Sequence, residues 1–199
     1  MLVIGLTGGI ASGKTLVSDT FASMGAPIVD ADLLSREVVA PGSEGLQGLV
    51  DLFGGDIIDN SSHGSLNRAA LRNIIFKNPA AREQVDALLH PMIRRLSDER
   101  IQSHLSSEHP YLIYAVPLLV ETGQVSRFDS IIVVDIPVSM QLERLISRDD
   151  TTEEQARRII ESQASREQRL AIANDVIDNS KTKEFTVSQI KALHQQFSE

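Results

Sequence analysis

The segment Gly8-Gly9-Ile10-Ala11-Ser12-Gly13-Lys14-Thr15 constrains this chain more than any other, because it fits G-x-x-x-x-G-K-[ST]. That pattern works only where a buried strand feeds a tight loop that opens a helix. The flanks meet the condition. Leu2 to Thr7 is a short apolar run (Leu2, Val3, Ile4, Leu6) suited to a buried parallel strand, and Leu16, Val17, Phe21 and Met24 share one face of a helix over Thr15–Met24. The turn between them reads as a phosphate-binding P-loop. Gly8 and Gly13 permit backbone dihedrals and close approach that a Cβ forbids, so successive N–H groups converge on phosphate oxygens at a helix N-terminus. Lys14 would reach the β- and γ-phosphates, and the Thr15 hydroxyl would ligate Mg²⁺.

Length and charge narrow what surrounds this loop. At 199 residues the chain suffices for one sizeable α/β domain with a small insertion, and is too short for two ordinary domains. A net charge of −8 argues against non-specific binding to nucleic acid or anionic membrane, which needs a broad basic surface, so any phosphate site is a local basic pocket. With no cysteine there is neither a disulfide framework nor a thiol nucleophile. The first residues enter a core strand directly, with no basic leader, and no apolar run approaches the ~20 residues that span a membrane. The expectation is a cytoplasmic protein acting on small molecules, a monomer or weak homo-oligomer, with no nucleic-acid or membrane partner.

After Gly25-Ala26-Pro27, Ile28-Val29 predicts a second short strand ended by Asp30-Ala31-Asp32. Two carboxylates then stand at the C-terminal edge of a strand, where open parallel sheets hold ligands. Asp30 and Asp32 face opposite sides if the strand continues; alternatively Asp30 caps a helix over Leu33–Val39. Beside a P-loop the chemical reading gains weight, since a kinase needs a carboxylate to accept the proton of an acceptor hydroxyl. Asp32 is the expected base, with Asp30 in support.

Residues 41–110 carry almost no strand signal. Leu46–Phe53 looks helical, Gly54 to Gly64 reads as a polar loop, Asn67 caps a helix over Leu71–Phe76, Pro79 starts another, and Pro91 starts a third that runs toward Leu105. This is a helical insertion on the ligand edge. Within it His90 and Arg94-Arg95 suit either a solvated surface helix or an anion-binding wall for a phosphorylated acceptor. Tyr111–Val116 and Ser130–Asp135 are nearly all apolar, as strands covered on two faces should be. A helix from Ser139 places Arg144 and Arg148 on one face. The charged stretch 149–170, with Arg157, Arg158, Arg166 and Arg169, suits a solvated helical hairpin or a mobile lid that excludes water from the phosphates. Asp175–Asn179 reads as a fifth strand and Thr186–Phe197 as a closing helix. The fold class is thus α/β, a three-layer αβα arrangement on a five-stranded parallel sheet.

Taken together, the chain resembles the dephospho-coenzyme A kinases, nearly end to end. The resemblance rests on Gly5 to Ile10 with Ser12 to Thr15, Val29 to Asp32 followed by Arg36 to Val39, His90-Pro91 with Ile93-Arg94, and Val116 to Leu119 with Glu121. It continues through Gln141, Arg144, Arg148-Asp149, Gln163, Ala173 and Val176 to Asn179. It implies a P-loop kinase fold with a core over about 1–40, 110–148 and 171–199, a helical CoA-binding insertion over about 41–109, and a lid over about 149–170. The implied reaction moves the γ-phosphoryl of ATP, with Mg²⁺, to the ribose 3′-hydroxyl of dephospho-CoA.

By that resemblance Asp32, Lys14 and Arg148 fall to catalysis. Gly9, Ile10, Ala11, Ser12, Gly13, Lys14, Thr15, Leu16, Arg144 and Asn179 fall to the nucleotide; Asp30, His90, Arg94 and Leu118 to the acceptor; and Thr15 and Asp32 to the metal. Three positions depart from the usual family pattern: Ala11 for Gly, Val120 for Phe and Asn174 for Asp. Ala11 is expected to matter little provided its φ is negative. Val120 would loosen substrate packing, and Asn174 removes a charge near the expected adenine side. Rival readings are a nucleoside or nucleotide monophosphate kinase, which the long insertion with His90-Pro91 disfavours, and a GTP-driven switch, which would want an Asn-Lys-x-Asp segment that is absent. A non-catalytic ATP-binding module would keep the loop without the Asp pair.

Overall fold

The run Leu2–Gly8 becomes a central strand because its side chains from Ile4 onward are all buried, with neighbours on both edges and both faces. The computed structural model describes residues 1–105 and 109–199. In chain order it contains β1 (Leu2–Gly8), α1 (Lys14–Ser23), β2 (Ile28–Asp30), α2 (Ala31–Glu37), α3 (Glu44–Phe53), β3 (Ile58–Asp59), β4 (Ser65–Leu66), α4 (Arg68–Lys77) and α5 (Pro79–Leu105). Then follow β5 (Tyr111–Ala115), β6 (Ser130–Asp135), α6 (Val138–Asp149), α7 (Glu153–Glu161), α8 (Arg166–Ala171), β7 (Asp175–Asp178) and α9 (Lys183–Ser198). These form two units, Met1–Asp30 with Ile101–Glu199, and Ala31–Arg100. The far end of the expected insertion, 106–108, lies outside the described residues.

The first unit holds a five-stranded sheet in the order β2-β5-β1-β6-β7, every pairing parallel. Ile4 and Leu6 of β1, Ile113 of β5, Ile132 and Val134 of β6 and Ile177 of β7 point to one face. There they pack with Val17 and Phe21 of α1 and Ile190 and Phe197 of α9. A fully buried side chain of this size contributes about 1.5–3 kcal/mol. The ring of Tyr111 lies edge-on to Phe21, and its hydroxyl meets His194 Nδ1 at 2.5 Å; burial raises the Tyr111 phenol to about 12.

The second unit has its own core of Val39, Leu49, Ile57, Leu71 and Val85, joined by Phe53, Leu66, Ile74, Leu88 and others. Ser43 Oγ caps α3 by accepting from Leu46 N, and Asn67 Oδ1 caps α4 from Ala70 N. Two expectations are corrected here. The stretch from Gly54 to Gly64 is more than a polar loop: it folds back as a hairpin, with Ile58 opposite Leu66, and Ile57 and Leu66 reach the unit's core. And Pro91 does not start a helix. It lies inside the 27-residue α5, where it deletes one backbone donor while turns continue on either side. His90 accordingly sits mid-helix, not at a helix start.

Candidate active site

The P-loop follows the carboxyl end of β1, with β5 and β2 to one side of that strand and β6 and β7 to the other. This is the switch point at which open parallel sheets bind ligands. The loop closes with Ser12 N–H donating to Gly9 O at 3.0 Å. Gly13, the N-cap of α1, has φ +93°. A Cβ there would be strained and would also collide with Asn179 Nδ2.

That collision marks a support beneath the loop. Asn179 is buried at the end of β7 and its side-chain amide is fully engaged: Nδ2 donates to Ser12 O at 2.7 Å and Oδ1 accepts from Thr186 Oγ1 at 2.9 Å. Its backbone N–H donates to Asp135 O at 3.0 Å and its carbonyl accepts from Arg144 Nη2 at 3.0 Å. Asn179 and Arg144, both expected at the nucleotide, are thus brought to the loop through protein bonds. Ile10 is held on both sides, its N–H donating to Gln163 Oε1 at 2.8 Å and its carbonyl accepting from Gln141 Nε2 at 2.9 Å. A Cβ on Gly9 would run into Gln141 Nε2 and Arg169 Nη2, so glycine admits both groups against the loop.

The loop opens a helix end that suits an anion. Ser43, Asn67, Thr152, Ser165 and Thr182 cap α3, α4, α7, α8 and α9 with side-chain oxygens. At α1, as at α6, no side chain caps the N-terminus and no acidic residue stands in the first turn, but only α1 opens from the glycine turn of the P-loop. Its leading N–H groups and the positive end of its dipole are left for an anion. Ser12 Oγ and Gln141 Oε1 are the buried side-chain polar atoms lacking a partner among the described residues. Such exceptions concentrate at functional sites. Lys14 is half-buried and Thr15 exposed at the start of this helix.

Around the loop, Arg166 forms a two-pronged pair with Asp135 at 2.8 and 2.6 Å, which holds its guanidinium above the usual arginine range. Arg169 is buried. Desolvation pulls its guanidinium down, while Glu121, Asp135 and Glu167 oppose this. Its Nη1 donates to Ala164 O. Arg148, one turn beyond Arg144, is exposed and paired with Asp149 at 2.7 and 2.9 Å, which raises it. Thr7 Oγ1 donates to Pro117 O at 3.3 Å, fixing the turn after β5 in which Leu118 is exposed.

With this geometry in place, the comparisons decide the family. The sequence model of the dephospho-CoA kinases matches residues 2–184. The chain belongs to the dephospho-CoA kinase family. Curated members include a Vibrio vulnificus dephospho-CoA kinase, 47% identical over 98% of this chain and 95% of that one. Another, from Escherichia coli K12, is 42% identical over 96% and 91%. Among solved structures, a Thermus thermophilus protein superposes with TM-score 0.82 at 26% identity over 100% of this chain and 98% of that one. A Campylobacter jejuni dephospho-CoA kinase gives TM-score 0.75 at 24% identity over 98% and 96%. Shikimate kinase from Bacteroides thetaiotaomicron, at TM-score 0.51 and 14% identity, shares the fold. Family membership carries the enzyme class, a phosphotransferase with an alcohol acceptor, and the reaction, phosphorylation of dephospho-CoA in coenzyme A synthesis.

The other residues expected at the site are placed as follows. Asp30 ends β2 at the ligand edge, and Asp32 is exposed in the first turn of α2, two residues on. In the second unit His90 and Arg94 lie one turn apart on the exposed side of α5, with His90 Nε2 3.6 Å from Asp86. That unit also has a groove of about 310 Å³ lined by Val38, Gly45, Met92, Leu96 and the Arg95–Glu44 pair, with neither His90 nor Arg94 in its wall.

One of the family departures, Ala11, differs from expectation, and Asn174 is placed by its bonds. Ala11 has φ +59°, not a negative value, so its methyl is carried in left-handed backbone because the loop must turn there. Asn174 lies just before β7, at the amino edge of the sheet, opposite the P-loop. Its Oδ1 accepts from Ile131 N at 2.9 Å and its N–H donates to Ile131 O, so it fastens β7 to β6. Gln141, Gln163 and Asp135 had no role assigned from sequence. Their partners lie 131, 153 and 31 residues away along the chain, and no local pattern marks them.

Proposed function

We propose that the backbone between Gly9 and Leu16 holds the phosphates of ATP, and that Asp32 accepts the proton of the acceptor's ribose 3′-hydroxyl as that oxygen attacks the γ-phosphorus. The observation that carries this is the uncapped, acid-free N-terminus of α1 behind a glycine at φ +93°. Lys14, with Arg144 and Arg148 from α6, offsets the charge that develops on the equatorial oxygens. Asp30 supports the base. The Thr15 hydroxyl, a hard oxygen donor at the start of α1, fits Mg²⁺, with Asp32 contributing through water. When bound, the ion neutralises charge on the β- and γ-phosphates. His90, Arg94 and Leu118 serve the acceptor, and segment 149–170 is the lid that keeps water from the phosphoryl group.

ATP and dephospho-CoA are the small-molecule partners. The net charge of −8 supports a protein without a nucleic-acid partner. Among the described residues no helix is long and apolar enough to cross a membrane. We place the enzyme in the cytoplasm, as a monomer or weak homo-oligomer. The test is ADP release from Mg-ATP with dephospho-CoA, adenosine or AMP as acceptor, beside Asp32→Asn. Turnover on dephospho-CoA alone, lost on the order of 10²–10⁴-fold in Asp32→Asn with ATP affinity intact, is expected. Retained turnover in the variant would remove Asp32 from the base role.

A further inference from the structure

Both polar backbone atoms of Ile10 are taken by side-chain amides from distant elements. Gln141, in the first turns of α6, holds the carbonyl; Gln163, between α7 and α8, holds the N–H. The orientation of the Gln163 amide is fixed by its partner, because an N–H can only donate and so must face Oε1. The residues after Gln163 are anchored elsewhere. Ala164 N–H donates to Glu121 Oε1 at 2.7 Å, Ala164 O accepts from Arg169, and Arg166 pairs with Asp135. The Glu121 and Asp135 bonds tie the α7–α8 turn to the sheet edge, the Arg169 bond holds the turn together, and Gln163 carries it onto the P-loop itself.

We propose that Gln163 is a positioning residue that registers the α7–α8 segment on the P-loop, so that the γ-phosphoryl passes to the acceptor hydroxyl and not to water. The inference rests on the kinase reading given above. In the productive reaction the acceptor oxygen bonds to the γ-phosphorus, the bond from that phosphorus to the bridging oxygen of ADP breaks, and the hydroxyl proton goes to the Asp32 carboxylate. In the wasteful one water attacks the same phosphorus, giving ADP and inorganic phosphate. The CoA product counts the first reaction and inorganic phosphate the second, so their ratio measures how well the segment is seated. A segment seated only through Glu121 and Asp135 would still cover the sheet edge, but would no longer be set against Ile10, the loop residue whose peptide it holds.

The experiment compares Gln163→Met, similar in length and without a strong acceptor, with Gln163→Glu, whose carboxylate still accepts from Ile10 N–H. Two readouts are taken: the ratio of CoA to inorganic phosphate formed under saturating Mg-ATP and dephospho-CoA, and hydrogen exchange of the Ile10 amide. We expect Gln163→Met to retain its melting temperature, to lower the ratio by roughly fivefold to tenfold, the effect of one lost neutral hydrogen bond, and to lose protection at Ile10. Gln163→Glu should keep the ratio and the protection, with a raised KM for ATP from its added charge. A wild-type ratio in Gln163→Met, or equal uncoupling in both variants, would overturn the proposal. The exchange readout needs no turnover, so a wild-type enzyme inactive on dephospho-CoA would count against the kinase reading alone.

Discussion

The arginines packed around the P-loop and those of the helical unit are used in opposite ways. In the sheet-bearing unit Arg144, Arg166 and Arg169 are buried or half-buried and bond to the carbonyl of Asn179, the carboxylate of Asp135 and the carbonyl of Ala164. In the helical unit Arg82, Arg95 and Arg100 pair with Asp86, Glu44 and Glu37 in water, each side chain half exposed or more. A bond to a buried backbone carbonyl fixes where a loop lies, and breaking it strands a polar group. A solvated pair fixes little and is screened by salt. The same residue type therefore fixes the surroundings of the P-loop in one place and stays on a solvated surface in another, as Arg148, Arg157 and Arg158 do within the sheet-bearing unit too.

That contrast breaks most sharply at the chemistry. Lys14→Met should lower kcat on the order of 10²–10³-fold in ADP-release assays with little change in melting temperature, since the role proposed for it is to meet developing charge. Arg95→Met should leave kcat within about twofold. Next in size is Arg166→Ala, which leaves the largely buried Asp135 carboxylate without its cation. A loss of about 1–3 kcal/mol is expected, read as a drop of roughly 2–12 °C by calorimetry. Arg100→Ala removes a 2.6 Å pair with Glu37, yet should cost under about 1 kcal/mol, less still in high salt.

Two smaller effects sharpen the comparison inside the sheet-bearing unit. Ala11→Gly relieves left-handed backbone at φ +59° and should stabilise by about 1 kcal/mol, or roughly 2–4 °C. Asp178 is held below its ordinary 3.8, first by the Ser180 hydroxyl and then by the Ser180 backbone N–H. A depressed carboxylate stabilises the folded state above its unfolded value, and that contribution is lost as pH falls through the folded value. Ser180→Ala should therefore narrow the stability difference between pH 6 and pH 3, measured by denaturant titration.

The scaffold was legible because its signals are local. Four apolar runs, a P-loop and helix faces at 3.6-residue spacing place the sheet, and Asn67 announces α4 three residues ahead of the N–H it accepts. The hairpin Ile58–Asp59 with Ser65–Leu66 was missed because two-residue strands carry no periodicity. Pro91 misled because proline commonly opens a helix, and only a surrounding 27-residue helix shows that this one does not. The P-loop was legible as glycines and Lys14, and Asn179 through the family resemblance, while the bonds that fix the loop were not. Asn179, Gln141 and Gln163 reach Ser12 and Ile10 across 131 to 167 residues, and a neutral amide in a sequence gives no sign of which backbone atom it will meet.

The central claim is that the nucleotide site is a backbone surface held in place by buried side chains such as Asn179. The most direct measurement is calorimetric titration of Asn179→Ala with Mg-ATP and, separately, with dephospho-CoA. The account predicts that ATP binding weakens on the order of tenfold while dephospho-CoA binding stays within about twofold, because Ser12 O and Thr186 Oγ1 lose their shared partner and the loop loses its support. Unchanged ATP affinity in a folded Asn179→Ala would contradict it.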